Sequence, residues 1–308
     1  FYQFNFVFFY QFYIDFYMKG HPCHAEISDW LGIGYDNCIR VKCSKDGRII
    51  VSEVEKVVRE NIEKGKIFLG FNLCGGSTVE FDMDPVKEIY ELREQLVADY
   101  RLDYKPIIHV DSVVGWIWLF YNGYDFETNP LGINKPILDK IQLMHSFITE
   151  IKYADSCGMD FHKTGYAPYI SSLIMFHNKE DYYFLGDKEQ VVDVEKLQYG
   201  GFAPFEQTLE LTRCSDGPIA AWTTLKTIGI NGYREIIANS LESTQYFRDK
   251  INALPFAEVV NANSTGVATL FILKPEGFED KALAEILTMP KEETDKVKNY
   301  NLNFTRYV

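Results

Sequence analysis

The chain has 308 residues, with 31 Lys and Arg against 44 Asp and Glu, a formal net charge of −13 and 15% aromatic residues. That charge disfavours a nucleic-acid backbone or an anionic membrane surface as the main partner. The 46% hydrophobic content argues against disorder. At about 150 residues per domain, the length suggests two domains, or one large domain with an incomplete companion.

Phe1 to Tyr17 is dominated by Phe and Tyr, with Asp15 its only charge. It has no basic n-region and no small-residue cleavage site, so it does not read as a signal peptide. Gln3, Asn5, Gln11 and Asp15 interrupt it as a membrane span. It reads as an aromatic leader, strand-like or disordered, covering residues 1–20. The first residue is Phe, which suggests a start inside a longer protein. The six cysteines follow no metal-binding spacing and suit free thiols in a reducing, cytoplasmic compartment.

From His21 onward, helical and strand patterns alternate. Ala25 to Leu31 reads as a short helix ended by Gly32 and Gly34, and Cys38 to Lys42 as a strand. Ser52 is the expected N-cap of a helix over Glu53 to Lys64, with Glu55 at the capping-box position and Gly65 closing it. Ile67 to Leu73 is a buried strand running into the Gly75-Gly76 turn. After Asp84-Pro85 an amphipathic helix extends to about Asp99.

Ile107 to Val110 is the next strand, Lys135 to Ile151 a helix, and Ala154-Asp155-Ser156 follows on a short strand. Tyr169 to Phe176 is apolar and β-branched. Ile219 to Ile228 and Gly232 to Leu254 read as two long helices. After Pro255 the pattern changes to short strands, which sets the boundary between a large domain over 21–254 and a small one over 255–308. The alternation implies an α/β fold, a mostly parallel sheet sandwiched by helices, with ligands expected at the strand ends.

Three strand ends carry polar groups: Gly75-Gly76-Ser77-Thr78, His109-Val110-Asp111-Ser112 and Asp160-Phe161-His162-Lys163-Thr164-Gly165. A lysine, a carboxylate, an imidazole and a hydroxyl-bearing turn are what a phosphorylated aldehyde cofactor requires. The lysine forms a Schiff base, the carboxylate holds the pyridine nitrogen protonated, and turn donors bind phosphate. Taken singly, each is also what a turn cap or a solvated loop looks like.

Together and in this order they resemble the group II pyridoxal-phosphate-dependent amino acid decarboxylases, which include the glutamate, tyrosine, aromatic amino acid and diaminobutyrate enzymes. The resemblance covers His21 to the end of the chain. It rests on Ala154-Asp155-Ser156 followed by His162-Lys163, on Gly76-Ser77-Thr78-Val79 with Asp84-Pro85, and on His109-Val110-Asp111. His21 ten residues before Leu31-Gly32-Ile33-Gly34 is a fourth element. Thr212-Arg213-Cys214-Ser215-Asp216-Gly217, leading to Ala220-Ala221-Trp222, Leu225-Lys226, Gly229, Gly232 and Tyr233, is a fifth.

The resemblance implies fold type I, a pyridoxal 5'-phosphate cofactor, and decarboxylation of an L-amino acid to an amine and CO2 through a Lys163 Schiff base and a quinonoid. It assigns Asp111 to the pyridine nitrogen, His21 to the ring face, and Thr78, His162 and Ser156 to cofactor contacts. Tyr199, beside Gly200-Gly201, is the expected proton donor on a mobile loop. A homodimer is implied as well.

The chain departs from the family pattern at Asp160-Phe161, where Asn-Pro is common, at Ser112-Val113 and Gly115-Trp116, and at Cys23. By the same comparison the family's N-terminal phosphate-binding turn is missing and the C-terminal domain is incomplete. An inactive fragment or degenerate homologue serving as a partner subunit, or another pyridoxal-dependent carbon–carbon lyase, are the alternatives.

Overall fold

The computed structural model describes residues 6–12, 20–44, 47–178, 181 and 214–307. In chain order the elements are β1 (Phe6–Phe12), α1 (Cys23–Trp30), β2 (Cys38–Lys42), α2 (Val51–Glu63), β3 (Ile67–Cys74), α3 (Val86–Tyr100), β4 (Ile107–Asp111), α4 (Lys135–Ile148), β5 (Ser156–Asp160) and β6 (Ser172–Phe176). These are followed by α5 (Asp216–Asn252), β7 (Ala257–Val259), β8 (Phe271–Leu273), α6 (Leu283–Ile286) and α7 (Lys291–Tyr307).

A six-stranded sheet runs in the order β2-β1-β3-β4-β5-β6. The pairs up to β5 are parallel and β6 is antiparallel to β5. Residues 6–12 of the aromatic stretch therefore take the strand alternative, between β2 and β3. Strands β7 and β8 form a separate antiparallel pair.

Alternation along β3 and β4 separates two faces of the sheet. Phe71, Leu73, Ile108 and Val110 are buried in one continuous core with Val58 of α2, Ile89 of α3 and Ile141 of α4. The intervening side chains, Asn72, His109 and Asp111, lie on the other face, where α1 crosses. Apolar residues at helical spacing thus cover one face, and polar ones are left for chemistry on the other.

Some helix boundaries differ from the sequence expectation. Helix α2 starts at Val51 after Ile50, with no side-chain cap, so the Ser52 capping box does not form. Glu55 instead accepts a hydrogen bond from Arg59 Nε at 2.9 Å, one turn along the same helix. The two long C-terminal helices do meet the expectation: α5 is two helical arms joined at Gly229, whose φ of 68° is non-helical. The aromatic-rich connection after β4 is a 3-10 segment, Gly115–Tyr121, that drives Trp118 and Tyr121 fully into the core. Among the described residues no helix is long and apolar enough to cross a membrane.

Candidate active site

The C-terminal ends of β3, β4 and β5 meet α1 around a cleft of about 250 Å³ lined by His21, Cys23, His24, His109, Asp111, Val113, Asp160 and Lys163. Close glycine contacts make this convergence possible. A Cβ on Gly115 would stand 2.0 Å from the Gly75 carbonyl oxygen, and one on Gly76 would stand 2.6 Å from the Gly115 nitrogen. The turns after β3 and β4 are therefore in backbone contact that a side chain would break. Ser112 closes the other side, donating its hydroxyl to the Gly158 carbonyl of β5 at 2.7 Å.

Lys163 stands on the turn after β5, and that turn is clamped from several directions. Trp116 Nε1 donates to the Asp160 carbonyl at 3.2 Å, Thr164 donates to the Val114 carbonyl at 2.9 Å, and the Tyr233 hydroxyl donates to the Gly165 carbonyl at 2.7 Å. Lys163 Nζ lies 2.8 Å from Asp160 Oδ2, while the other Asp160 oxygen accepts the Ser172 hydroxyl at 2.6 Å. The Asp160 departure noted in the sequence thus places its charge against the lysine amine.

Asp111 ends β4 with its side chain on the α1 face. Its Oδ2 accepts from His24 Nε2 at 2.9 Å, and its Oδ1 from the Val113 N–H at 3.3 Å. Burial pushes this carboxyl up, but hydrogen bonding and charge from His24 pull it back, so that on balance it lies below its ordinary value. His109, two residues earlier on the same face, has Nδ1 2.8 Å from the Ser156 hydroxyl. Burial pushes the His109 imidazole down to about 4, so it is neutral at physiological pH. Burial, and then the Asp111 charge, push the Cys23 thiol up.

The structure brings Lys163, Asp111 and His21 to one cleft. His21 is exposed at its rim, with Nδ1 accepting the Cys23 N–H at 3.2 Å. Thr78, Ser156 and His162 do not line it. Thr78 is exposed on the turn after β3. Ser156 is buried against His109, and His162 Nδ1 sits 2.9 Å from the Ser171 carbonyl. Tyr199 and Thr212-Arg213 lie outside the described residues.

The residue that sequence reasoning missed is His24. His21 lies before α1 and His24 on its first turn, so only the placement of α1 over β3 and β4 brings His24 to Asp111.

A larger groove of about 400 Å³ is lined by Arg48, Glu80, Asp82, Met83, Phe147 and Thr265 among others. It holds no lysine and no imidazole. Arg48 there is engaged, donating to the Met83 carbonyl at 3.0 Å and stacking on Phe147.

The donor set of the smaller cleft fits pyridoxal phosphate. An amine on a constrained turn stands with an ionised carboxylate at the ends of parallel strands, which is the chemistry an aldehyde and a pyridine nitrogen require.

The fold is that of the pyridoxal-phosphate-dependent enzymes of fold type I. It superposes on mouse CSAD with a TM-score of 0.72 at 17% identity, over 96% of this chain and 53% of that one. In sequence the chain is similar to the L-tyrosine decarboxylase of Enterococcus faecium, 27% identical over 255 residues, which are 77% of this chain and 40% of that protein. It is also similar to the aspartate 1-decarboxylase of Aliivibrio fischeri, 25% identical over 233 residues, 76% of this chain and 37% of that protein. These matches show the resemblance to the group II decarboxylase family that the motifs carried. The chain spans less than half the length of these two curated relatives. No protein-family model matches it.

Proposed function

We propose that this chain carries the pyridoxal-phosphate site of an amino acid decarboxylase, converting an L-amino acid to an amine and CO2. The observation that supports this best is the single cleft holding Lys163, Asp111 and His21 at the ends of the parallel strands. When bound, the cofactor supplies a ring that accepts the electron pair left by departing CO2. Lys163 would hold the cofactor through its amine and release it to a substrate amine. Asp111 would pair with the pyridine nitrogen, its negative charge favouring a proton there. His21, at the rim, would stack on the ring and orient the substrate carboxylate. Tyr199 is assigned the proton returned to the substrate carbon.

His162 and Ser156 border the cleft at one remove, Ser156 through His109 and His162 through Asp160, whose Oδ2 lies 3.6 Å from His162 Nε2; Thr78 stays a candidate phosphate donor. A homodimer belongs to the same proposal. Exposed Trp30, Tyr169, Ile170 and Trp222 offer apolar area for a second copy, and sedimentation equilibrium decides between one chain and two.

Borohydride reduction in the presence of pyridoxal phosphate, followed by peptide mapping, tests the reading. The expected result is a cofactor fixed on Lys163 and none fixed in Lys163→Ala. Screening Tyr, Asp, Glu, Trp and diaminobutyrate for CO2 release then identifies the substrate, and Tyr199→Phe retains the cofactor while losing amine formation. Absence of labelling at Lys163 overturns the enzyme reading in favour of a catalytically silent partner. Labelling without CO2 from any amino acid favours a different carbon–carbon lyase.

A further inference from the structure

We propose that His24 is a positioning residue for Asp111: through a line from Asn72 to His24 to Asp111 it orients the carboxylate and keeps it ionised in the buried cleft. Asn72 Nδ2 lies 2.6 Å from His24 Nδ1, and His24 Nε2 lies 2.9 Å from Asp111 Oδ2. The three residues come from β3, α1 and β4, so the line ties the helix across two neighbouring strands. Helix α1 is itself seated by Ala25, buried against Cys38 of β2.

The proton arrangement follows from the acceptors. With the amide nitrogen toward the ring, Nδ1 accepts and the hydrogen sits on Nε2, aimed at Asp111. Asn72 is under strong demand here. Its Oδ1 is buried and has no hydrogen-bond partner among the described residues, a cost of about 1–3 kcal/mol accepted while the amide holds the imidazole.

The other groups facing Asp111 do not substitute for His24. His109, on the same strand, is held neutral by burial and occupied by Ser156. Lys163 is drawn to Asp160, itself an anion on the adjacent strand. Cys23 stays a neutral thiol, and His21 is at the exposed rim with its Nδ1 on the Cys23 N–H. Among the side chains lining the cleft, His24 is the one hydrogen-bonded to the carboxylate.

The value of this contact to catalysis rests on the cofactor reading above, whereas the contact can be tested without cofactor. The experiment is a carboxyl-carbon NMR titration of aspartate-labelled chain, with Asp111→Asn supplying the assignment. In His24→Leu the Asp111 midpoint rises by about one pH unit. In His24→Gln, which keeps an N–H donor, much of that rise is reversed. Asn72→Ala gives a smaller rise in the same direction and covers the case in which His24→Leu does not fold. An unchanged Asp111 midpoint in His24→Leu, or in Asn72→Ala if the first does not fold, overturns the proposal. So does a His24→Gln variant no different from Leu. Cofactor uptake by the unaltered chain is measured in parallel. If it fails, the cofactor reading falls while the titration still decides the role of His24.

Discussion

At the N-terminal end of β4 and β5, Asp155 meets Arg93; at the C-terminal end of the same strands, Asp111 meets His24. Arg93 is 1% exposed, pairs with Asp155 and donates to the Pro106 carbonyl, and Asp155 also accepts the Ile108 N–H at 2.7 Å. A guanidinium keeps its charge at every pH a protein survives, and it holds several acceptors in one plane. That end of the sheet is fixed. At the other end the partner is an imidazole, and the carboxylate opens on a cleft. One pair of strands therefore carries a buried ion pair for architecture and a hydrogen-bonded pair facing a cleft for chemistry.

The largest expected effect breaks the architectural end. Arg93→Met leaves Asp155 without its cation and costs about 3 kcal/mol of unfolding free energy, read by urea denaturation, with cofactor capture reduced only through loss of folded protein. Gly115→Ala acts at the chemical end. Its methyl meets the Gly75 carbonyl, so the turns separate at a cost of about 1–3 kcal/mol. Here cofactor capture by the remaining folded chain should drop as well. If Gly115→Ala leaves capture by folded protein intact, the two ends do not differ as described.

The smallest effect concerns pH. The His109 imidazole titrates at 6.5 ordinarily and at about 4 in the folded chain. Between these values the unfolded chain binds the extra proton, so the His109 contribution is complete above 6.5 and is lost as pH falls toward 4. His109 borders the cleft, and with that exposure discounted its share is about 1 kcal/mol. Urea titrations at about pH 7 and about pH 5 should show His109→Gln losing less stability than the unaltered chain by that amount.

Strands β2, β3 and β4 were legible to within a residue, because each is a short apolar run bounded by glycine, a turn or an aspartate. The break at Gly229 was legible too, because the two helical patterns stop at Ile228 and resume at Gly232. Ser52 misled because helix α2 begins at Val51, two residues before the expected start, with Val54 and Val58 buried and no side-chain cap. Lys163 and Asp111 could be found because each stands directly after a buried strand. His24 could not, because its role depends on α1 lying over the polar face of β3 and β4. The pairing of Ser156 with His109 is hidden for the same reason: it joins residues 47 positions apart that only the register of β4 against β5 makes neighbours.

Helix α5 has a mechanical consequence. Its longer arm runs from the break at Gly229 to Asn252. Tyr233 near the Gly229 break grips the Gly165 carbonyl on the lysine turn. About 22 Å further along the same arm, the buried Arg248 guanidinium grips the carbonyls of Ser264, Gly266 and Ala268 in the connection between β7 and β8. The lysine turn and the C-terminal segment are thus mounted on one lever, and torque applied at either end arrives at the other.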